Sequence, residues 1–169
     1  VAGELLLSST FTTGGFITTG CTINFNGNGA QTIPTQPTAG FYQNVMLSTG
    51  GTKSLQAVTT INGNLTIASG VTLSDAGFLL SGPGTSSGTF TINGNGVFTM
   101  TNTNIVGGSG NNNSSFPLFQ TYNFAAGSTV NYNGNGAGDV YAVPASGYGN
   151  LVITNNTKTA DGSFTIQGD

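Results

Sequence analysis

Two stretches more than a hundred residues apart read almost identically. Thr22–Gly29 is Thr-Ile-Asn-Phe-Asn-Gly-Asn-Gly, and Thr129–Gly136 is Thr-Val-Asn-Tyr-Asn-Gly-Asn-Gly. The echo continues downstream. Asn44-Val45-Met46-Leu47 answers to Asn150-Leu151-Val152-Ile153, Thr52-Lys53 to Thr157-Lys158, and Thr60-Ile61-Asn62-Gly63 to Thr165-Ile166-Gln167-Gly168. The offset narrows from 107 residues (Thr22 to Thr129) to 105 (Lys53 to Lys158), so two single-residue deletions account for it. Upstream, Gly20 and Gly127 keep the register. An internal repeat of about 106 residues restricts the chain to folds in which one unit stacks upon the next. Copy one covers about residues 22–126, and a partial copy two covers 129–169.

Each copy opens with a short alternating strand that runs into two Asn-Gly pairs. Asn tolerates the left-handed region and glycine lacks a Cβ, so these pairs predict tight turns. A third version, Asn93-Gly94-Asn95-Gly96, separates Thr89–Ile92 from Val97–Met100. Further short strands are expected at Phe11–Thr19 (a pair broken at Gly14-Gly15), Ala30–Ile33, Asn44–Leu47, Ser54–Val58, Thr60–Ile61, Leu65–Ile67, Val71–Leu73 and Phe78–Leu80. Pro34–Gly40, its counterpart Val143–Gly149, Gly82–Gly88 and Gly107–Ser115 read as loops. Phe116, Phe119, Tyr122 and Phe124 form the densest aromatic group. No stretch carries a helical period, and β-branched and aromatic residues recur between Gly and Asn, which indicates an all-β fold.

Charge decides between two β architectures. Only 4% of the 169 residues are charged, against roughly 25% in an ordinary soluble domain. The cations are Lys53 and Lys158, and the acids are Glu4, Asp75, Asp139, Asp161 and Asp169. An antiparallel sandwich favours longer hairpins with charged outer faces. A β-solenoid (parallel β-helix-like) favours short strands, small corner residues and stacked Asn and Thr side chains that satisfy one another from rung to rung. The solenoid is the better match. At ~20 residues per coil and ~4.8 Å per rung, it predicts about eight coils in a rod on the order of 40 Å long. Open rod ends expose unpaired strand edges, and the apolar run Leu5, Leu6, Leu7 is the candidate self-assembly edge.

The same residues carry a resemblance. Thr22–Ile33 (Thr-Ile-Asn-Phe-Asn-Gly-Asn-Gly-Ala-Gln-Thr-Ile), Phe41–Leu47 (Phe-Tyr-Gln-Asn-Val-Met-Leu), Gly51–Leu55 and Thr60–Leu73 together resemble the repeats of very large secreted surface proteins of Bacteroidota-type bacteria. The likeness covers most of residues 20–106 and again 127–169. It implies a right-handed β-helix-like solenoid, export by the type IX route through a separate C-terminal sorting domain, and an adhesive or structural role at the cell surface. It brings no catalytic residues.

Composition excludes several chemistries and leaves others open. Two isolated lysines cannot displace the counterions of a nucleic acid. No apolar run approaches the roughly eighteen residues needed to cross a bilayer, so no membrane insertion is expected. No signal segment opens the chain, which reads as mature protein or a fragment. With no His, neither a Ser-His-Asp triad nor His acid–base work is available. A glycosidase needs two carboxyls at a set separation, and Asp139 and Asp161 fall at positions that are not acidic in copy one. Neither catalysis nor a cofactor is therefore expected. Structural calcium would have Asp75, Asp139 or Asp161 as donors, although the turns hold Asn, a weak ligand for hard cations. The Thr pairs at 12–13, 18–19 and 59–60 lack the regular Thr-x-Thr of an ice-binding face. Single Cys21, matched by Ser128, reads as a small buried or half-buried residue.

Glycan binding remains open, with Tyr42, Tyr141 and Tyr148 as candidate stacking residues beside the Pro-containing loops. The competing reading has these tyrosines sealing the corners of the solenoid. The sequence thus points to a non-enzymatic extracellular fibre subunit or stalk segment, self-associating end to end or with neighbouring repeats of its own kind. The alternative is a glycan-binding module of a larger adhesin.

Overall fold

The computed structural model describes residues 20–36, 41–102, 116–135, 138–155 and 157–168. These form an all-β solenoid of about five turns, with no helix. The first coil holds β1 (Thr22–Phe25) and β2 (Gln31–Ile33), and the second β3 (Asn44–Leu47), β4 (Gly51–Leu55) and β5 (Thr59–Thr60). The third holds β6 (Leu65–Ile67), β7 (Val71–Ser74) and β8 (Leu80–Ser81), and the fourth β9 (Thr89–Ile92) and β10 (Val97–Met100). β11 (Thr121–Phe124), β12 (Thr129–Tyr132) and β13 (Gly138–Val140) make the fifth, and β14 (Asn150–Ile153) and β15 (Lys158–Ala160) the last.

Every strand pairs in parallel with its equivalent in the neighbouring coil. One sheet runs β1-β3-β6-β9-β11, a second runs β14-β12-β10-β7-β4-β2, and the pairs β5-β8 and β13-β15 form a short third side. Register is kept rung by rung. Phe25, Leu47, Ile67, Ile92 and Phe124 stack in one inward column, and Ile23, Val45, Leu65, Phe90 and Tyr122 in the next. Alternation within each strand is the cause: side chains at i and i+2 share a face. The column from the first sheet is buried apart from half-buried Ile23. The aromatic group also lies inside, with Phe116 stacked on Tyr141 at 5.3 Å and on Tyr132 at 6.2 Å.

Coil length among the described residues is not uniform. Successive rungs of the second sheet lie 22 residues apart at Gln31 and Lys53 and 32 apart at Val97 and Thr129, so a uniform twenty-residue coil fails. Boundaries also move. The strand expected over 54–58 is β4, Gly51–Leu55, and those expected over 60–61, 78–80 and 30–33 are Thr59–Thr60, Leu80–Ser81 and Gln31–Ile33. The expectations at Phe11–Thr19 and Gly107–Ser115 fall outside the described residues.

The internal repeat does not span a whole number of turns. β1 opens the five-stranded sheet; its sequence counterpart β12 follows β11, four turns on, and joins the other sheet. Copy two therefore lies one face further round the solenoid. Its local contacts are nevertheless those of copy one. β1 on β3 pairs Thr22 with Asn44, and β12 on β14 pairs Thr129 with Asn150. Gln31 pairs with Lys53 as Gly138 does with Lys158, and Tyr42 bridges Ile61 as Tyr148 bridges Ile166. A two-coil module thus folds the same way on either face, because each strand answers only to the rung beneath it.

The Asn-Gly corners work differently from hairpin turns. Gly94 takes a left-handed φ of 45°, but Gly27, Gly29 and Gly134 do not use that region. These corners are held by side chains. Gln31 Oε1 accepts from Gly27 N–H at 2.7 Å, while Lys53 Nζ donates to the carbonyls of Gly27 at 2.5 Å and Gly29 at 3.2 Å. In copy two, Lys158 Nζ donates to Gly134 O at 2.9 Å. Both lysines of the chain thus serve one task, closing an Asn-Gly-Asn-Gly corner of the coil below. Asn and Thr ladders run between coils as well: Ser48 Oγ donates to Asn24 Oδ1 at 2.9 Å, and its counterpart Thr154 Oγ1 to Asn131 Oδ1 at 3.4 Å.

The left-handed corner between β3 and β4 shows a local conflict. Thr49 holds φ 68° on an exposed corner, where its counterpart Asn155 holds φ 60°. A β-branched residue is disfavoured there and Asn is tolerated. Thr49→Asn is therefore expected to stabilise the fold by about 1 kcal/mol, read as a raised urea midpoint at unchanged slope. A lowered midpoint would contradict this account of the corner.

Candidate functional site

The residues singled out from sequence meet different fates. Tyr42, Tyr141 and Tyr148 are buried, which corrects their assignment as glycan contacts: none offers a ring face to solvent. Tyr42 Oη donates to Pro34 O at 3.0 Å, and its repeat counterpart Tyr148 donates to Tyr141 O at 2.6 Å. Tyr132 Oη lies 2.9 Å from Tyr148 Oη and accepts from Tyr141 N–H at 3.2 Å. Tyr42 and Tyr148 are corner plugs, tied to carbonyls eight and seven residues upstream. Leu5, Leu6 and Leu7 lie outside the described residues.

Burial raises the pKa of the Tyr42, Tyr122 and Tyr148 phenols. The Tyr42 pKa is pushed up to about 12 by desolvation. Tyr122 and Tyr148 are raised further, by desolvation first, then for Tyr148 by the neighbouring Tyr132 and for Tyr122 in part by Tyr141. In the unfolded chain the same groups ionise near pH 10. Above that the unfolded state sheds protons that the folded state keeps, so stability present below about pH 10 is lost as pH rises. Lys53 acts in the opposite sense, since burial lowers its pKa from 10.5 and its contribution grows as pH approaches that value. Three phenols outweigh one amine. The urea midpoint is expected to fall between pH 9 and roughly 11.5; an unchanged midpoint there would contradict the buried-tyrosine assignment.

Asp75 is no open calcium donor. Its Oδ1 accepts from Thr101 N–H at 2.8 Å, Thr101 Oγ1–H at 2.6 Å and Gly77 N–H at 3.0 Å, and its Oδ2 from Asn102 N–H at 3.0 Å. A carboxylate so occupied is a structural tie between the third and fourth coils. Asp139 stands in β13, and Asp161, one residue past β15, donates its N–H to Val140 O at 2.9 Å. No group of three or more His, Cys, Asp or Glu gathers to hold a metal among the described residues. Cys21 is exposed, contrary to expectation, while Ser128 is buried beneath the close approach of Gly149, a position that copy one fills with Gln43.

The last coil differs in burial from its counterpart in copy one. Among the described residues, β14 is the end strand of the six-stranded sheet and β15 pairs with β13. Inward positions that copy one buries are open here. Leu47 is 0% exposed but its counterpart Ile153 is 47%, and Ile61 is 2% but Ile166 is 50%. Met46 and Val152 provide the control, since both point outward and are 37% and 39% exposed. In copy one, β6 lies on β3 and pairs Leu47 with Ile67, whereas among the described residues no strand lies on β14 at the matching place.

The backbone edge repeats the comparison. In copy one, Val45 N–H donates to Asn64 O at 2.8 Å and Leu47 O accepts from Ala68 N–H at 2.9 Å. Their counterparts are Leu151 N–H and Ile153 O, and the described residues include no strand beyond them. Asn44 clamps both sides, donating from Nδ2 to Cys21 O at 3.2 Å and accepting at Oδ1 from Asn64 N–H at 2.9 Å. Asn150 makes the downward half, Nδ2 to Ala126 O at 3.3 Å. Gly168 crosses the Asn150 side chain as Gly63 crosses that of Asn44, where a Cβ would collide. The sequence signal for this edge was the repeat alignment itself, read together with the parallel pairing.

Searched against family models, known proteins and solved structures, the chain matches none of them.

Proposed function

We propose that this chain is a non-enzymatic structural and adhesive element, a fibre subunit or stalk segment at a bacterial cell surface, extended by stacking coil on coil. The observation that carries the reading is the stacking itself: every strand pairs in parallel with its equivalent in the neighbouring coil, and apolar columns run unbroken from rung to rung. A solenoid built by such nearest-neighbour pairing extends one coil at a time. Inter-coil cohesion comes from backbone ladders, apolar columns and neutral Asn and Thr contacts. On this reading export follows the type IX route, and partners are neighbouring repeats of the same kind.

Negative-stain electron microscopy of the purified chain at low and high concentration tests it. Unbranched fibres that lengthen with concentration are expected. With few charges to screen or titrate, they should persist from about pH 5 to 9 and from low to molar salt. Dispersed short particles at every concentration, or fibres that dissolve with modest salt, would contradict the proposal.

A further inference from the structure

Asparagine is a chemically labile side chain, and a following glycine, which has no Cβ, lets its own backbone nitrogen reach the Asn Cγ. The Asn-Gly pairs at 26–27, 28–29, 62–63, 93–94, 95–96 and 133–134 lie within the described residues. We infer that the fold leaves one of them, Asn93-Gly94, as a site of spontaneous deamidation and shields the others. This concerns the single molecule and is independent of stacking between molecules.

The Asn-Gly-Asn-Gly corner is built three times, and its neighbours decide the outcome. At 26–29, Gln31 Oε1 accepts from Gly27 N–H at 2.7 Å, so the nucleophile beside Asn26 is engaged. Lys53 Nζ, one coil on, binds the carbonyls on both sides of Asn28. Gly51 crosses there so closely that a Cβ would collide with the Gly29 carbonyl. At 133–134 the Asn133 side chain is itself held, with Oδ1 accepting from Thr154 Oγ1 at 2.7 Å and from Asn155 Nδ2 at 2.9 Å. Lys158 Nζ pins Gly134 O.

The corner at 93–96 has lost both guards. Phe98 stands at the place of Gln31, and its partner in the next coil is Val130, where the partner of Gln31 is Lys53. Asn93 and Gly94 are exposed, and among the described residues no hydrogen bond engages the Gly94 N–H or the Asn93 side chain. Gly94 takes a left-handed φ of 45°, and the atoms nearest a Cβ there belong to Ser69 alone. The two remaining pairs are shielded. Gly96 N–H donates to Asn93 O at 2.8 Å, which occupies the nucleophile beside Asn95. Gly63, beside Asn62, is buried and wedged against Gln43 O and the Asn44 side chain.

The reaction balances with water alone. Gly94 nitrogen, having lost its proton to solvent hydroxide, attacks Asn93 Cγ. The Cγ–Nδ2 bond breaks, and Nδ2 leaves as ammonia from a cyclic imide. Water then opens the imide. Attack at Cγ gives aspartate, and attack at the backbone carbonyl gives isoaspartate, with the chain rerouted through the side-chain carbons. Either product adds one carboxylate to a chain whose formal net charge is −3. Isoaspartate also lengthens the main chain at a residue whose N–H donates to Ile67 O at 2.9 Å, a tie between the third and fourth coils.

The test incubates the folded full chain in warm, mildly alkaline buffer made with heavy-oxygen water, followed by mass spectrometry of its thermolysin peptides. Heavy oxygen is expected to enter at Asn93 about tenfold or more faster than at Asn26, Asn28, Asn62, Asn95 or Asn133, where local opening must come first. In urea the six rates should converge to within about threefold, since the shielding contacts are gone. Asn93→Gln should remove the first acidic species seen on anion exchange while leaving the thermal midpoint within a few degrees, as exposed substitutions do. Another pair reacting as fast as Asn93 in the folded chain overturns the inference. So does the same ordering in urea, which would place the cause in local sequence rather than in the fold.

Discussion

Asp75→Ala is expected to be among the most damaging single substitutions outside the apolar columns. The carboxylate is 2% exposed and receives three backbone N–H groups and one hydroxyl, two residues upstream of one donor and a full coil from the others. Removing it orphans the N–H groups of Thr101 and Asn102 where water has little access. Each buried donor left unsatisfied costs about 1–3 kcal/mol, so a total loss on the order of 3–5 kcal/mol is expected. Asp75→Asn keeps one acceptor oxygen and should lose about half as much. Urea denaturation of the two variants measures both. A loss under about 1 kcal/mol for Asp75→Ala would mean that the tie between these coils is not made in solution.

Lys53→Met gives the second large effect, and the isolated nature of the change makes it informative. Methionine retains much of the aliphatic stem, so packing in the inward column between Gln31 and Leu73 changes little. What disappears is the ammonium that binds the carbonyls of Gly27 and Gly29. Two acceptors left without a charged donor should cost about 2–4 kcal/mol. Lys158→Met should cost less than half of that, because Lys158 is only half-buried and stands in the last coil. If the two substitutions were equal, or if Lys53→Met were neutral, the corner lock would not be the reason for these lysines. Replacing buried ionic groups by apolar ones can stabilise a fold where the partner group goes too. Here the acceptors are fixed corner carbonyls that remain after the substitution, so the balance tips towards loss.

Much of the architecture was legible because coil stacking is governed by local rules. The alternation in Thr-Ile-Asn-Phe and Thr-Phe-Thr-Ile marks strands, near-absence of charge favours ladders over solvated faces, and parallel pairing follows from repetition. What stayed hidden depends on how far the chain travels between equivalent rungs. The longer excursion between β10 and β12 breaks any fixed coil length, and with it the expected number of turns. The tyrosines illustrate a different limit. Position beside a Pro-containing loop marks a corner, but whether Tyr42 points outward or plugs the corner is decided by a single carbonyl, Pro34 O, within reach of its hydroxyl. In sequence Asp75 reads as a candidate calcium donor; its partners at Thr101 and Asn102 become neighbours only once the coil closes.

The last coil is the clearest case of sequence and structure needing each other. Sequence identifies Ile153 with Leu47 and Ile166 with Ile61. Only the parallel register shows that Leu47 owes its burial to β6, and that Ile153 has no equivalent cover among the described strands.

Sedimentation velocity of the wild-type chain beside the double variant Ile153→Lys, Ile166→Lys tests end-to-end stacking most directly. Both positions are about half exposed, so the substitutions should leave the thermal midpoint within a few degrees, as surface changes within about 0.5 kcal/mol do. The wild type is predicted to shift to faster-sedimenting species as concentration rises, while the variant remains a single slow species. A wild type that stays monomeric at every concentration, or a variant that associates equally well, would contradict the account.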